Sequence, residues 1–311
     1  MREVFRGRDF LSISDFSALE LTYLLDSAVE LKRRWLIGEP MSILTGKTMA
    51  LLFEKPSLRT RVSFQLAMSQ LGGNALYLSP QEVGLGKREA VKDVARVLSR
   101  MVDGILLRTF DHYTLLELAK YSSVPVVNGL SDLYHPCQVL GDLLTIKEKK
   151  RNLTDQKICF VGDGNNVCHS LVEAAAVLGL NLVVSSPLQY RPQPEIWDRG
   201  LKKSQATGGT IVYLENPEEA VQEADVLYTD VWTSMGKEEE RETRKARFAR
   251  YQLNEHLLSM AKDDCIVMHC MPANRGEEIV DSVMDGPNSV VIDQAENRLH
   301  AQKALLALIL S

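Results

Sequence analysis

Long apolar runs are missing from this chain of 311 residues. None of its apolar stretches approaches the ~20 residues that cross a bilayer, so no membrane partner is expected. Positive charge is scarce as well. Lys and Arg number 36 against 41 Asp and Glu, a net charge of −5. No excess of cations is left to neutralise a phosphate backbone, which argues against nucleic acid as a partner. Paired cysteines are lacking too. The five present (Cys137, Cys159, Cys168, Cys265, Cys270) form no C-x-x-C pair, so neither a zinc site nor a disulfide framework is indicated. A reducing cytoplasm is the expected compartment. Residues 1–10 place charges where a secretory leader needs an apolar core.

What is present is alternation. An apolar run at Met49–Phe53 reads as a buried strand, Pro56 breaks it, and Ser57 is a good helix cap. Phe64, Ala67, Met68 and Leu71 then fall at helical spacing. This helix start carries Ser57, Arg59, Thr60 and Arg61. The first N–H groups of a helix lack internal partners and carry partial positive charge, so an anion can settle there. An ordinary capped helix with exposed arginines would show the same pattern.

Further strands are predicted at Ala75–Leu78, Gly104–Arg108 and Val124–Val127, with helices at 14–35, 91–98, 111–121 and from Gln138 to about Lys149. The charge run Lys147–Asn152 is the best boundary. The alternation resumes at Lys157–Val161, then Leu182–Ser185, Thr210–Leu214, Asp225–Thr229, Cys265–His269 and Val290–Asp293 as strands, with a last helix from Asn297 to Leu310. The pattern predicts an α/β fold of two domains, each a parallel sheet with helices on both faces. Thr233–Arg250 is dense in charge and reads either as a lid-like loop or as an exposed helix.

In such sheets ligands bind at the C-terminal ends of strands. Arg108, His135–Gln138, Asn166, Asp230 with Ser234 and Met235, and His269–Pro272 all fall there. Gly162-Asp-Gly164 imitates a dinucleotide fingerprint and fails it. Val167 stands where the third glycine is needed, and the next strand ends in Ser185-Ser186-Pro187 without an acid for a ribose. A phosphate cradle, extra arginines, a His near a carbonyl and an Asp suited to an ammonium together suggest acyl-phosphate chemistry.

Ser57-Leu-Arg-Thr-Arg61, His135-Pro-Cys-Gln138, Asp230-x-x-x-Ser234-Met-Gly236 and His269-Cys-Met-Pro272 resemble the aspartate/ornithine carbamoyltransferase family. The last two motifs match its ornithine branch. The resemblance runs through the whole chain, including Asn128–Asp132 and Glu296-Asn-Arg298. It implies transfer of the carbamoyl group from carbamoyl phosphate to the δ-amine of L-ornithine, giving citrulline, without a cofactor or a metal. Residues 1–147 with the helix 297–311 would be the carbamoyl-phosphate domain, and 148–296 the ornithine domain. Ser57, Leu58, Arg59, Thr60, Arg108, His135, Pro136, Cys137, Gln138, Cys270, Met271 and Arg298 would contact carbamoyl phosphate. Asn166, Asp230, Ser234 and Met235 would bind ornithine. Cys270, His135 and Arg108 would be catalytic.

The resemblance also implies a homotrimer, or a multiple of it, whose last helix packs back on the first domain. The role within arginine metabolism, synthetic or degradative, stays open. So do transfer to another amine, such as putrescine or an acylated ornithine, and a silent carbamoyl-phosphate sensor. Three positions depart from the family pattern. Leu58 replaces the usual Thr, Gly84 stands where some members carry Gln or His toward a neighbouring subunit, and Met271 replaces Leu. The last change conserves volume and is expected to be neutral.

Overall fold

The structure is a computed structural model that describes residues 2–234, 236 and 238–311. Two compact units divide the chain. One takes the chain up to Leu144 and again Glu296–Ser311, and the other is Thr145–Ala295.

The first unit holds β1 (Thr48–Phe53), β2 (Asn74–Leu78), β3 (Gly104–Arg108) and β4 (Val126–Leu130) in the order β2-β1-β3-β4, all parallel. Its helices are α1 (Ala18–Leu36), α2 (Leu58–Gln70), α3 (Val91–Leu98), α4 (His112–Tyr121) and α5 (Pro136–Lys150), the last running across the boundary. The strands are near-continuous apolar runs because both faces are covered. Ala50, Leu52, Ile105, Leu107 and Val126 pack under Val91, Val94, Leu115 and Leu118 of α3 and α4. Strand β4 begins at Val126, later than the predicted Val124, since Pro125 has no N–H to give.

The second unit holds β5 (Lys157–Val161), β6 (Asn181–Ser185), β7 (Thr210–Tyr213), β8 (Val226–Thr229) and β9 (Ile266–His269) in the order β7-β6-β5-β8-β9, again all parallel. Helices α6 (Asn166–Leu178), α7 (Pro194–Thr207) and α8 (Arg241–Phe248) belong to it. A last helix, α9 (Val291–Ile309), begins here and continues through the C-terminal part of the first unit. Part of the charged segment is therefore helical, and part is not.

The predicted strand Val290–Asp293 is a correction. Ser289, just before it, bridges β9 at Val267, and the chain turns helical at Val291, with Gln294 N–H donating to Val290 O at 2.9 Å. Three β-branched residues, Val290, Val291 and Ile292, read as a strand out of context. A 19-residue helix, once started, adds one hydrogen bond per residue and overrides that local preference.

The side on which successive strands are added to each sheet switches at one place. In the first it is between β1 and β3, in the second between β5 and β8. Crevices outside strand ends at such switch points are where open α/β sheets bind ligands.

Candidate active site

Four strand ends meet the two switch points. The end of β1 runs through Pro56 into Ser57, whose Oγ accepts the Thr60 N–H at 3.3 Å and caps α2. Leu58, Arg59 and Thr60 form the first turn, where orphan N–H groups and the helix dipole favour an anion. Beside it, β3 delivers Arg108, 6% exposed, paired in register with Phe53. His135 precedes Pro136, the first residue of α5, where a missing N–H costs nothing. Arg298 comes from α9, and its Nη2 donates to Thr60 Oγ1 at 2.9 Å. Gly141 of α5 lets that helix approach, because a Cβ there would stand 3.2 Å from the Arg298 Cα.

Cations crowd this end of the first unit. Burial, then Arg298, Arg108, Arg59 and Lys55, hold the His135 imidazolium well below its ordinary range, so the ring is neutral at pH 7. A neutral imidazole can donate one hydrogen bond without adding charge. Thr60 Oγ1 accepts from Arg298, which leaves its own hydroxyl proton to be given elsewhere. Gln138 Nε2 donates to Asp142 Oδ1 at 2.8 Å, which fixes the amide with its Oε1 as the acceptor end. Cys137 is fully buried and its thiol is pushed up to about 12 by burial. It stays a thiol, and what Pro136 and Cys137 bring to the site is the helix start.

Lys55 was not among the residues expected from sequence. It is 6% exposed, its Nζ lies 3.9 Å from the Phe110 ring centroid, and burial followed by Arg108 lowers its pKa to about 8. The Leu58 side chain is 74% exposed, so that position offers its backbone N–H and turns its side chain to the surface. Gly84 ends a short helical turn, Pro80–Val83, at φ 57°. A Cβ there would meet Arg88 Cβ at 2.7 Å, so a longer residue would need the turn to shift.

The second unit gathers different chemistry. Gly162 takes φ +143° at the end of β5. Gly164 packs on the chain at 190–192, where a Cβ would lie 2.3 Å from Pro192 N, and its N–H donates to Tyr190 O at 2.8 Å. These glycines serve the protein's own backbone rather than a pyrophosphate. Asn165, another residue missed in the sequence, caps α6 through Oδ1 and donates from Nδ2 to Asp230 Oδ2 at 2.6 Å. Asn166 follows as the first residue of α6, and Ser234 lies just beyond β8, part-buried. Met235 lies outside the described residues.

Asp230 Oδ1 accepts from Cys270 Sγ at 2.8 Å and from the Val231 N–H at 2.8 Å. The turn after β9 is built by His269. Its Nδ1 accepts the Met271 N–H at 2.8 Å, so the ring proton is on Nε2, which faces Glu278 Oε1 at 3.1 Å. That bond holds Met271 at φ 56°, a left-handed conformation. Asp230, His269 and Cys270 bring ligand atoms within 4.8 Å of one another, but both nitrogens of His269 are engaged and leave no lone pair for an ion. Glu278 and Gln294, which donors from His269 reach, gave no sequence signal because each acts through a partner distant in the chain.

The carbamoyl-P binding domain of the aspartate/ornithine carbamoyltransferases matches residues 8–148, and their Asp/Orn binding domain matches residues 154–309. An ornithine carbamoyltransferase of Thermococcus kodakarensis is 52% identical over 304 residues, 98% of this chain and 96% of the relative. One from Archaeoglobus fulgidus is 52% identical over 303 residues, 97% of each chain. The solved ornithine carbamoyltransferase of Pyrococcus furiosus superposes with a TM-score of 0.96 at 51% identity, covering 98% of both chains.

Proposed function

The chain belongs to the aspartate/ornithine carbamoyltransferase family, and from that premise we propose how its residues divide the work of transferring the carbamoyl group of carbamoyl phosphate to the δ-amine of L-ornithine. The observation that carries the division is the opposite chemistry of the two switch points. One is a helix start ringed by arginines around a neutral imidazole. The other is a carboxylate bonded to a thiol and an amide.

The first suits carbamoyl phosphate. Its phosphate lies on the N–H groups of residues 58–60, with Arg59 and Arg108 as charged partners. His135 and the Thr60 hydroxyl donate to the carbonyl oxygen, and Arg298 holds Thr60 in that orientation. Gln138 Oε1 accepts from the carbamoyl NH₂ group. The second suits the amino acid. Asp230 takes its cation, and Asn166, Ser234 and Met235 take its α-amino and carboxylate ends. Cys270, with its proton directed at Asp230, turns sulfur lone pairs toward the δ-amine and orients it, with Met271 beside it.

The δ-ammonium has a pKa near ~10, so it loses one proton before reaction. The nitrogen lone pair attacks the carbamoyl carbon, the C–O bond to phosphorus-bound oxygen breaks, and phosphate leaves as an anion the helix start already holds. The second amine proton passes to the released phosphate or to water. Steady-state formation of citrulline from carbamoyl phosphate and ornithine tests the reading. Equal turnover with putrescine or an N-acylated ornithine would overturn the amino-acid assignment.

The assembly is read as a homotrimer or a multiple of it. Support comes from Leu58, Val62 and Leu66, which are exposed at i, i+4 and i+8 along α2 beside exposed Leu76 on the edge strand β2. The five cysteines, four of them buried, fit a reducing cytoplasm.

A further inference from the structure

One guanidinium with no substrate role so far holds three pieces of the amine side together. Arg244 lies in α8 with its side chain only 4% exposed. Its Nη1 stands 3.0 Å from Asp163 Oδ2 and donates to the Trp232 carbonyl at 2.8 Å. Its Nε donates to Glu240 Oε2 at 2.8 Å, and its Cζ lies 4.6 Å over the Tyr190 ring.

The partners come from distinct places in the chain. Asp163 is in the β5–α6 loop, two residues before the Asn165 that bonds Asp230. Trp232 lies where the chain leaves Asp230 for Ser234, and it stacks on Phe248 of α8 at 5.7 Å. Glu240 lies where the chain enters α8. Trp232, two residues before Ser234, and Glu240, at the start of α8, are thus held by the same side chain. Asp163 is itself buried, 6% exposed, so the pair answers two charges that burial would otherwise leave uncompensated. Arg presents several donors in fixed directions, which a lysine ammonium cannot copy.

We propose that Arg244 is a positioning residue for the amino-acid substrate, holding the segment that carries Ser234 in register with the loop that orients Asp230. The inference rests on the assignment of Asp230 and Ser234 to ornithine. Holding Asp163 and Trp232, on either side of the Asn165–Asp230 pair, fixes that backbone before a ligand arrives and lowers the ordering cost of binding. The effect therefore falls mainly on ornithine, because the phosphate-side groups Ser57–Thr60, Arg108 and His135 belong to the other unit.

The test compares wild type with Arg244→Gln, Arg244→Lys and Glu240→Gln. It reads KM for each substrate from citrulline formation, and the Kd of L-2-aminopentanoate, which is ornithine without its δ-amine. Arg244→Gln is expected to raise the ornithine KM and the aminopentanoate Kd roughly 30-fold, in the range of a lost charged hydrogen bond, with the carbamoyl-phosphate KM within about twofold. Arg244→Lys should recover part of the loss. Glu240→Gln changes a side chain that is 53% exposed and should raise the ornithine KM about threefold at unchanged Tm. An ornithine KM within twofold of wild type in a folded Arg244→Gln overturns the proposal, as does an equal rise in both KM values. Should Arg244→Gln fail to fold, unchanged ornithine KM in both Arg244→Lys and Glu240→Gln overturns it. Absence of citrulline with the wild-type enzyme would instead strike the reaction assigned above.

Discussion

At the end of β1 and β3 the chain collects Lys55, Arg59, Arg108 and Arg298 around one neutral histidine. At the ends of β5, β8 and β9 it collects Asn165, Asp230 and Cys270, joined by two hydrogen bonds of 2.6 and 2.8 Å. Both sets stand at the switch point of a parallel sheet. The topology supplies a place, and the residues at strand ends decide what it takes. An excess of cations suits a leaving group that departs with negative charge. A carboxylate and a thiol suit an amine that must arrive with a lone pair.

The largest effect should come from the thiol. Cys270→Ala is expected to keep the fold and lower kcat by roughly a hundredfold or more, with the carbamoyl-phosphate KM little changed, because misplacing a reacting group by about 1 Å typically costs about that much. Near-normal turnover would remove Cys270 from the chemistry and leave Asp230 alone on the amine side.

Next is the cation cluster. Arg59→Ala should weaken carbamoyl-phosphate binding by roughly 10- to 100-fold, the cost of a charged hydrogen bond, and ornithine binding far less. Equal weakening of both substrates would erase the contrast between the two ends.

A smaller, pH-dependent effect sharpens the same contrast. Lys55 is depressed to about 8, by burial first and Arg108 second, so it loses its charge as pH rises through 8. A bound phosphate favours the charged form. Carbamoyl-phosphate binding above pH 8 should then take up a proton, which calorimetry in two buffers of different ionisation enthalpy would read. The carbamoyl-phosphate KM should rise a few-fold from pH 7 to 9.5, less steeply in Lys55→Arg, whose guanidinium keeps its charge. Proton uptake unchanged in that variant would take Lys55 out of the account.

The smallest effect concerns the departure in the cradle. Leu58→Thr should leave carbamoyl-phosphate affinity within about twofold, since the side chain at this position is exposed and the backbone N–H is retained. A large gain in affinity would show that a hydroxyl there reaches the ligand.

Much of this was readable in the sequence, for identifiable reasons. Strands buried on both faces are apolar runs, so β1, β3 and β5 stood out. Ser57 and the arginines after Pro56 marked a helix start that could hold an anion. The misread stretch, Val290–Asp293, is short and β-branched, and only the length of α9 decides it. Asn165 was passed over for its neighbour Asn166 because cap and first helical residue look alike in sequence. Arg244 was hidden in a charge run, Lys55 in a turn, and Glu278 in a polar stretch. A buried charge differs from a solvated one only through partners that lie far along the chain.

The contact between Arg298 and Thr60 has a consequence for how the protein is made. Thr60 emerges from the ribosome early, and Arg298 is among the last residues to be translated. The first unit can pair its strands while the rest of the chain is still being synthesised, but Thr60 at the start of α2 lacks its Arg298 partner until the final helix arrives. A chain cut short before α9 would carry nearly every motif of the family and still be without the hand that holds Thr60.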